Sequence, residues 1–248
     1  MQVAHMIWEE YRDAVGKKVI LLPVGSTEQH GPHLPLNVDV VIPNGFAMRV
    51  AEEIDGMVLP PIVYGYKSHP TSGGGPLFPG TTSLDGSTLV NLILDILRET
   101  YRHGGRKFYA INGHYENLAF LNEAVDLFVR ESPDAKVVTA CWWDQVSDEM
   151  VELGFSEAGF PGWDTEHAGI TETSLMLHFA PELVREDSII DDGSDRIPKY
   201  SIFPPPADII PASGVLYKAT YASREYGAKL ADQVVGEFVK IARDEFGV

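Results

Sequence analysis

The chain has 248 residues, of which 44% are hydrophobic and 22% charged, a balance typical of a globular protein with a large core. Its 36 acidic residues against 19 basic ones give a net charge of −17, so neither nucleic acid nor an anionic membrane surface is an expected partner. No apolar run approaches the roughly 20 residues that span a bilayer, and no signal-peptide pattern opens the chain. The single cysteine, Cys141, excludes an intrachain disulfide and a thiolate zinc cage. We therefore expect a soluble, cytoplasmic protein with one domain, residues 1–248.

Short apolar runs and amphipathic stretches alternate along the chain. Continuous apolar or β-branched runs predict four strands, over 18–24, 57–63, 107–111 and 136–141. Helical periodicity predicts helices over 40–54, around 89–97 and 118–128, over 171–179, and around 226–241. This alternation is typical of βα units, and it predicts an α/β fold, a three-layer α/β/α sandwich with a mainly parallel central sheet.

Glycine and proline gather in four long loops, which are 25–35, 65–80, 155–169 and 191–213. Loops of this length in a compact domain are usually functional or disordered. In parallel sheets, ligands bind beyond the carboxyl ends of the strands. The residues that directly follow each predicted strand are therefore the first candidates for chemistry.

Two of the predicted strands are each followed by a glutamate and a histidine that are separated by one residue. Glu28 and His30 follow the first strand, and His114 and Glu116 follow the third. Because residues i and i+2 of an extended segment point to the same side, both pairs can face one cavity, with Asp39 close by. The alternative for each pair is a glutamate that caps a loop beside a structural histidine.

Electrostatics favour a metal site over that alternative. Three carboxylates cannot remain ionised together in a partly dry site without a cation. Two divalent ions and a bridging hydroxide would balance the charge. Mixed histidine and carboxylate ligation suits zinc, manganese or iron(II), whereas magnesium and calcium prefer oxygen ligands.

A second cluster of reactive residue types lies in the segment 162–169. Trp163 in a loop needs a surface to pack on, often a ligand, and an ordinary pKa of about 6.5 suits His167 for moving protons. The alternatives are that Trp163 plugs the edge of the core and that His167 caps the next helix. Trp142 and Trp143 end the fourth predicted strand and project to opposite faces, so we expect one in the core and one at the pocket.

Seven motifs, in order along nearly the whole chain, resemble those of the creatininase (creatinine amidohydrolase) family. They are GSTEQHG at 25–31, NVD at 37–39, YGYKS at 64–68, SGGG at 72–75, FPGTTSLDG at 78–86, NGHYEN at 112–117 and GWDTEH at 162–167. The Trp-Asp pairs at 143–144 and 163–164 are most similar to the creatininase branch of that family.

The resemblance implies a centre with two divalent metal ions, zinc and/or manganese, and assembly as a homohexamer. It implies that Glu28 and His114 hold one ion, that His30 and Glu116 hold the other, and that Asp39 bridges them. The substrate contacts that it implies are Ser72, Tyr115, Trp143, Trp163 and Asp164. The catalytic groups are His167 as the proton carrier, Glu116, and Glu166, with Glu166 or Glu172 orienting His167.

The expected function is the interconversion of creatinine and creatine, in which a metal-bridging hydroxide attacks the carbonyl carbon of the cyclic amide. The partner is thus a small molecule. One alternative is another amidohydrolase of the creatininase family that acts on a formamide or a short peptide amide. A second alternative is a non-catalytic metal-binding subunit.

Overall fold

The computed structural model describes residues 1–194, 198, 200–206 and 208–248. The predicted loop 191–213 therefore lies partly outside the described residues. In chain order the helices and strands are α1 (Trp8–Ala14), β1 (Val19–Val24), α2 (Val38–Glu53), β2 (Met57–Val58), α3 (Gly86–Arg102), β3 (Lys107–Asn112), α4 (Asn117–Glu131), β4 (Lys136–Cys141), α5 (Asp148–Phe155), α6 (Ile170–Phe179) and α7 (Arg224–Phe246). None of the helices in these ranges is both long enough and apolar enough to cross a bilayer.

The four strands form one parallel sheet in the order β2-β1-β3-β4. All six residues of β1 are buried, which explains why an uninterrupted apolar run encodes this strand. Alternate residues face opposite sides of the sheet. Val19 and Leu21 pack into one core, whereas Ile20 and Leu22 pack into the other.

Helices cover both faces of the sheet. On one face α2, α6 and α7 pack around Phe46 and Phe238, and on the other α1, α3 and α4 pack around Leu89 and Phe128. Helices α3, α4 and α7 bury the apolar residues of their amphipathic patterns in these two cores, whereas residues 170–177 of α6 are all buried, mainly against α2 and α7. The α/β class and the three-layer architecture predicted from the alternating patterns are therefore confirmed.

One predicted strand is wrong over most of its length. The strand predicted over 57–63 is observed only as Met57–Val58. Pro60 and Pro61 follow it, and because proline has no N–H group, these residues cannot continue the ladder. A single isolated bridge joins Ile62 to Val24 beyond them. The short helices α1 and α5 are a further difference, since no predicted helix covers them.

Two glycines bring the carboxyl edge of the sheet against the start of α2. A Cβ atom on Gly25, after β1, would lie 2.4 Å from the backbone oxygen of Asp39, and one on Gly113, after β3, would lie 2.5 Å from it. Pro43, one helical turn beyond Asp39, has no N–H to donate to that oxygen. The backbone carbonyl of Asp39 can therefore face the two glycines. This close approach places the Asp39 side chain at the edge of the sheet.

We expect Gly25→Ala to destabilise the protein, because the new methyl group would collide with backbone atoms of α2 rather than with a movable side chain. Overpacking of this kind costs about 1–3 kcal/mol of unfolding free energy, which urea denaturation measures. The matched control is Gly236→Ala in α7, where an added Cβ atom meets nothing within 4 Å. That change is expected to stabilise the protein by about 0.5–1 kcal/mol. Equal effects of the two changes would contradict the close approach at Gly25.

Candidate active site

The predicted metal ligands converge at the carboxyl edge of the sheet. Glu28 and His30 lie on the loop after β1, Asp39 lies in the first turn of α2, and His114 and Glu116 lie between β3 and α4. The first four are buried, with between 1% and 4% of their surface exposed. Two parallel strands and a helix start thus supply one compact group of side chains.

Asp39 lies between two histidines. Its Oδ1 atom is 3.2 Å from Nε2 of His30, and its Oδ2 atom is 3.1 Å from Nδ1 of His114. The same nitrogen of His114 is 3.1 Å from Oε2 of Glu28. Glu28, Asp39 and His114 therefore form one group whose donor atoms all lie within 4.8 Å of one another. Asp39 occupies the position that a bridging carboxylate needs.

A second group of possible ligands includes a residue that the sequence analysis did not count among the ligands. His30, His167 and Glu172 each offer a donor atom within 4.8 Å of the others. Glu172 is buried in the first turn of α6, and its Oε1 atom is 3.5 Å from Nε2 of His30. The carboxylate nearest to His30 besides Asp39 is therefore Glu172.

Glu116 lies next to the other histidine. Its Oε2 atom is 3.3 Å from Nε2 of His114. Its Oε1 atom accepts hydrogen bonds from the backbone N–H of His69, at 2.7 Å, and from the hydroxyl of Ser72. Glu116 thus lies beside His114, whereas Glu172 on α6 lies beside His30. The expected pairing of Glu116 with His30 around one ion stays a prediction.

Backbone carbonyl groups fix the ring orientation of both central histidines. Because a carbonyl oxygen only accepts, Nδ1 of His30 donates to the oxygen of Glu28, at 3.1 Å, and Nε2 of His114 donates to that of Tyr66, at 3.0 Å. The other nitrogen of each ring then faces Asp39, and it carries the lone pair when the ring is neutral. Metal-binding histidines are held in this way, with the second N–H bonded to a carbonyl or a carboxylate.

The negative charges of the clustered carboxylates must be balanced by a cation or by bound protons. Burial opposes the charged form of His30, but the Asp39 and Glu172 carboxylates outweigh it and raise the pKa of this imidazole. Burial likewise opposes ionisation of Asp39, but the neighbouring histidines outweigh it and lower the pKa of this carboxyl. The clustered carboxylates therefore need positive charge beside them, which a metal ion supplies without a proton.

Unpaired polar atoms point to the same conclusion. Among the described residues, Oε1 of Glu28, Nε2 of His30 and Oδ2 of Asp39 are buried and have no hydrogen bond of acceptable geometry. All three belong to side chains of the clustered histidines and carboxylates. Buried polar groups are rarely left unpaired, and these atoms are of the types that coordinate zinc or manganese. The residues therefore fit a divalent metal.

A small cavity lies over this cluster. All five residues predicted to contact substrate line it, namely Ser72, Tyr115, Trp143, Trp163 and Asp164. The rings of Tyr115 and Trp143 are stacked, with their centroids 5.7 Å apart. Ser72, Tyr115, Glu116, Trp143 and Asp164 also line a wider surface depression into which the cavity opens. The size and the aromatic walls suit a small, flat ligand.

The two adjacent tryptophans have different surroundings. Trp142 is 3% exposed and lies in the core, with its ring centroid 6.3 Å from that of Phe46. Trp143 stacks on Tyr115 at the cavity. This agrees with the prediction of one core and one pocket residue, with the addition that Trp142 also reaches the cavity wall.

Glu166 does not orient His167, which corrects that part of the prediction. Its Oε1 atom accepts the backbone N–H of Thr171, at 3.0 Å, and its other oxygen binds the hydroxyl of the same residue at the start of α6. Burial and the nearby Glu172 raise the pKa of Glu166 to about 8. The Oε2 atom of Glu172 is likewise engaged, by the N–H of Ala168 at 2.7 Å. The contact of His167 is Gln29, whose backbone oxygen lies 2.9 Å from Nε2 of the ring.

The fold and the side-chain cluster define an α/β protein built around a buried divalent-metal site at the carboxyl edge of a parallel sheet. Its sequence matches the creatininase family, described as creatinine amidohydrolase, over residues 4–242, and the chain belongs to this family. It is 46% identical to the creatinine amidohydrolase of Pseudomonas putida, over 98% of this chain and 96% of that protein. It is 33% identical to the mycofactocin precursor peptide peptidase of Mycobacterium ulcerans, over 90% of this chain and 84% of that one.

Solved structures of creatininase share the fold of this chain. A mutant creatininase complexed with creatine and a structure described as creatininase Mn each give a TM-score of 0.95 at 45% sequence identity. Each alignment covers 99% of this chain and 98% of the other. The similarity therefore includes every element that carries the candidate site.

Proposed function

We propose that this chain is a metal-dependent cyclic amidohydrolase that interconverts creatinine and creatine, with residues 1–248 acting as one domain. The observation that carries the proposal is the buried cluster of histidines and carboxylates beneath a small cavity with aromatic walls. Membership of the creatininase family and full-length similarity to a creatinine amidohydrolase support the reaction. Similarity to a creatininase complexed with creatine supports the substrate class.

The proposed centre holds two divalent ions, zinc and/or manganese. We assign Glu28, His114 and Asp39 to one ion, and His30, Glu116 and Asp39 to the other. Glu172, whose Oε1 atom is 3.5 Å from Nε2 of His30, is a further carboxylate available to the second ion. When bound, such ions lower the pKa of a water molecule and polarise a carbonyl oxygen.

The remaining residues bind the substrate and move the proton. Tyr115, Trp143 and Trp163 would enclose a flat ring and keep bulk water away from it. Ser72 and Asp164 would bind its polar edge from the cavity wall. The attacking water loses a proton and the ring nitrogen must leave protonated, so we assign His167 to take the proton from the water and then, as the general acid, to give it to the ring nitrogen, with Glu116 as the second catalytic group. Glu166 contributes indirectly, since it caps the helix that carries Glu172.

Purified protein is expected to convert creatinine to creatine, to lose that activity on chelation and to regain it with added zinc or manganese. Elemental analysis is expected to give about two divalent ions per chain, one for each proposed position. Magnesium serves as the control ion, because it prefers oxygen ligands and is not expected to restore turnover. Metal content without turnover of any tested amide would instead support a non-catalytic metal-binding subunit.

A second candidate is hydrolysis of a peptide amide or a formamide. The similarity to a mycofactocin precursor peptide peptidase favours it, as does the wide depression into which the cavity opens. A formamide and a panel of short peptides, assayed beside creatinine, separate the two candidates. The expected result is a kcat/KM that is highest for creatinine, and faster turnover of a peptide or formamide would overturn the first proposal.

We also propose that the chain assembles as a homohexamer and acts in the cytoplasm. The family membership supports the assembly, and the acidic composition with one buried cysteine suits a reducing compartment. Light scattering coupled to gel filtration measures the assembly, for which six chains of 27.3 kDa each are expected. A monomer at micromolar concentration would contradict it.

A further inference from the structure

Gln29 separates two of the proposed metal ligands in sequence, and its own side chain is bonded in a network of loops. The amide nitrogen Nε2 donates to the backbone oxygens of Gly73, at 2.8 Å, and Gly214, at 2.9 Å. The amide oxygen accepts the N–H of Gly31 at 2.9 Å. The opposite amide orientation would place the oxygen against two carbonyl oxygens, so these contacts fix the direction of the side chain.

This network determines where His167 carries its proton. Nε2 of His167 lies 2.9 Å from the backbone oxygen of Gln29 and 3.0 Å from the Nε2 atom of its side chain. An amide group has two protons, and the two carbonyl oxygens take both, so none is left for the imidazole. The imidazole must therefore donate its own Nε2 proton to the backbone oxygen of Gln29. In the neutral ring, the lone pair is then on Nδ1.

We propose that Gln29 is a positioning residue that holds His167 with its proton on Nε2, so that Nδ1 is the atom that exchanges a proton in the cavity. The catalytic part of this inference rests on the proposed function, in which His167 is the general acid. The position of the proton on the His167 ring does not depend on the proposed function. The loops that Gln29 joins lie close around the ring, since a Cβ atom on Gly73 would be 3.1 Å from Cε1 of His167.

Glycine is required where these loops meet the amide. A Cβ atom on Gly214, whose φ is +77°, would lie 1.9 Å from Oε1 of Gln29. A Cβ atom on Gly73 would lie 2.5 Å from Oε1 of Glu28. The Gln29 amide therefore ties three loops together beside the His167 ring, those of residues 25–35, 65–80 and 213–216.

The first test is the tautomer itself, read from the ring nitrogen chemical shifts of 15N-histidine-labelled, zinc-loaded protein. The His167 signals are assigned as those missing from the spectrum of the His167→Ala variant. We expect a protonated Nε2 and an unprotonated Nδ1. A protonated Nδ1 with a bare Nε2 would overturn the proposal, whether or not the protein turns over creatinine.

The second test replaces the amide. Gln29→Leu keeps the bulk and removes every hydrogen bond of the side chain, and Gln29→Glu keeps the shape but cannot donate to the two carbonyl oxygens. Loss of an outer partner of this kind lowers activity by about 10–100-fold. We expect that loss in kcat for both variants, with KM changed by less than about threefold and unchanged metal content. In Gln29→Leu the spectrum is expected to show a mixture of His167 tautomers, whereas the new carboxylate of Gln29→Glu can itself accept the Nε2 proton and is expected to keep a single tautomer.

Gln233 provides a matched control. Its side chain is also partly buried, donating to the oxygen of Gln145 at 2.9 Å and accepting from the N–H of Ser147 at 3.2 Å, away from the cavity. Gln233→Leu is expected to lower stability but to leave kcat and the His167 spectrum unchanged. Wild-type kcat and a single tautomer in folded Gln29→Leu would overturn the positioning role, and so would wild-type kcat in folded Gln29→Glu. Absence of creatinine turnover in the wild type would instead refute the proposed function. The His167 spectra would then be the measurement that tests the role of Gln29. If both variants fail to fold, the ring nitrogen spectrum of the wild type tests whether His167 carries its proton on Nε2.

Discussion

Replacing Asp39 with asparagine is expected to remove metal from the cluster and to lower creatinine turnover by about 10³ or more. Asp39 is the carboxylate between both histidines, 3.2 Å from Nε2 of His30 and 3.1 Å from Nδ1 of His114. Asparagine has the same size but no charge and only one oxygen, so it cannot serve two metal positions. Loss of the metal removes several kcal/mol of transition-state stabilisation, and about 4 kcal/mol corresponds to 10³ in rate.

Elemental analysis and kcat, measured on the same preparation, check this result. The control is Asp232→Asn, which breaks an exposed pair with Arg49 at 2.7 Å. A surface pair of this kind contributes at most about 1 kcal/mol to stability, so this variant is expected to keep its metal and its activity. Circular dichroism shows whether both variants remain folded. Full metal content and turnover in folded Asp39→Asn would refute the proposed bridging position.

Local patterns in the sequence are sufficient to predict most of the fold. Strand β4 is observed over the residues that its β-branched run predicts, Lys136–Cys141. The helix predicted over 40–54 is observed as Val38–Glu53, because Asn37 rather than a later residue precedes the first turn. The strand predicted over 57–63 ends before a pair of prolines, because a prediction from apolar residues alone does not take account of the missing N–H groups. Apolar runs therefore predict burial well, but hydrogen bonding decides where a strand ends.

The site is only partly predictable, and the reason is tertiary. The two Glu/His pairs follow neighbouring parallel strands, so their convergence follows from topology alone. Glu172 lies on α6, which comes much later in the chain, so its position beside His30 does not follow from the order of the strands. Gln29 carries no signal of its own in one sequence, since its role comes from carbonyl groups of loops far along the chain.

Helix capping explains the different role of Glu166. A carboxylate just before a helix start accepts the free N–H groups of the first turn, and Glu166 does so at Thr171. The interval between Glu166 and α6 in the sequence is consistent with that cap. In a segment rich in catalytic residue types, the capping and the catalytic interpretation compete, and only the observed hydrogen bonds decide between them.

Replacing His167 with alanine is expected to lower creatinine turnover by about 10²–10⁴ while the metal content stays unchanged, as loss of a general acid does. His167 lines the cavity, and its Nε2 atom is occupied by the backbone oxygen of Gln29 at 2.9 Å, so Nδ1 is available for the leaving nitrogen. The competing role is that of a ligand, because His167 offers a donor atom within 4.8 Å of those of His30 and Glu172.

The two roles give opposite results in one set of measurements. If His167 carries the proton, His167→Ala keeps its metal, and imidazole added to the assay restores part of the turnover, because it can occupy the space of the lost ring beside His30, whose centroid is 4.3 Å away. If His167 is a ligand, the variant loses metal, and a high metal concentration rather than imidazole restores turnover. His103→Ala, at the exposed end of α3, is the control and is expected to match the wild type. Unchanged turnover in His167→Ala would exclude both roles, because neither a general acid nor a metal ligand can be removed from this site without a loss of rate.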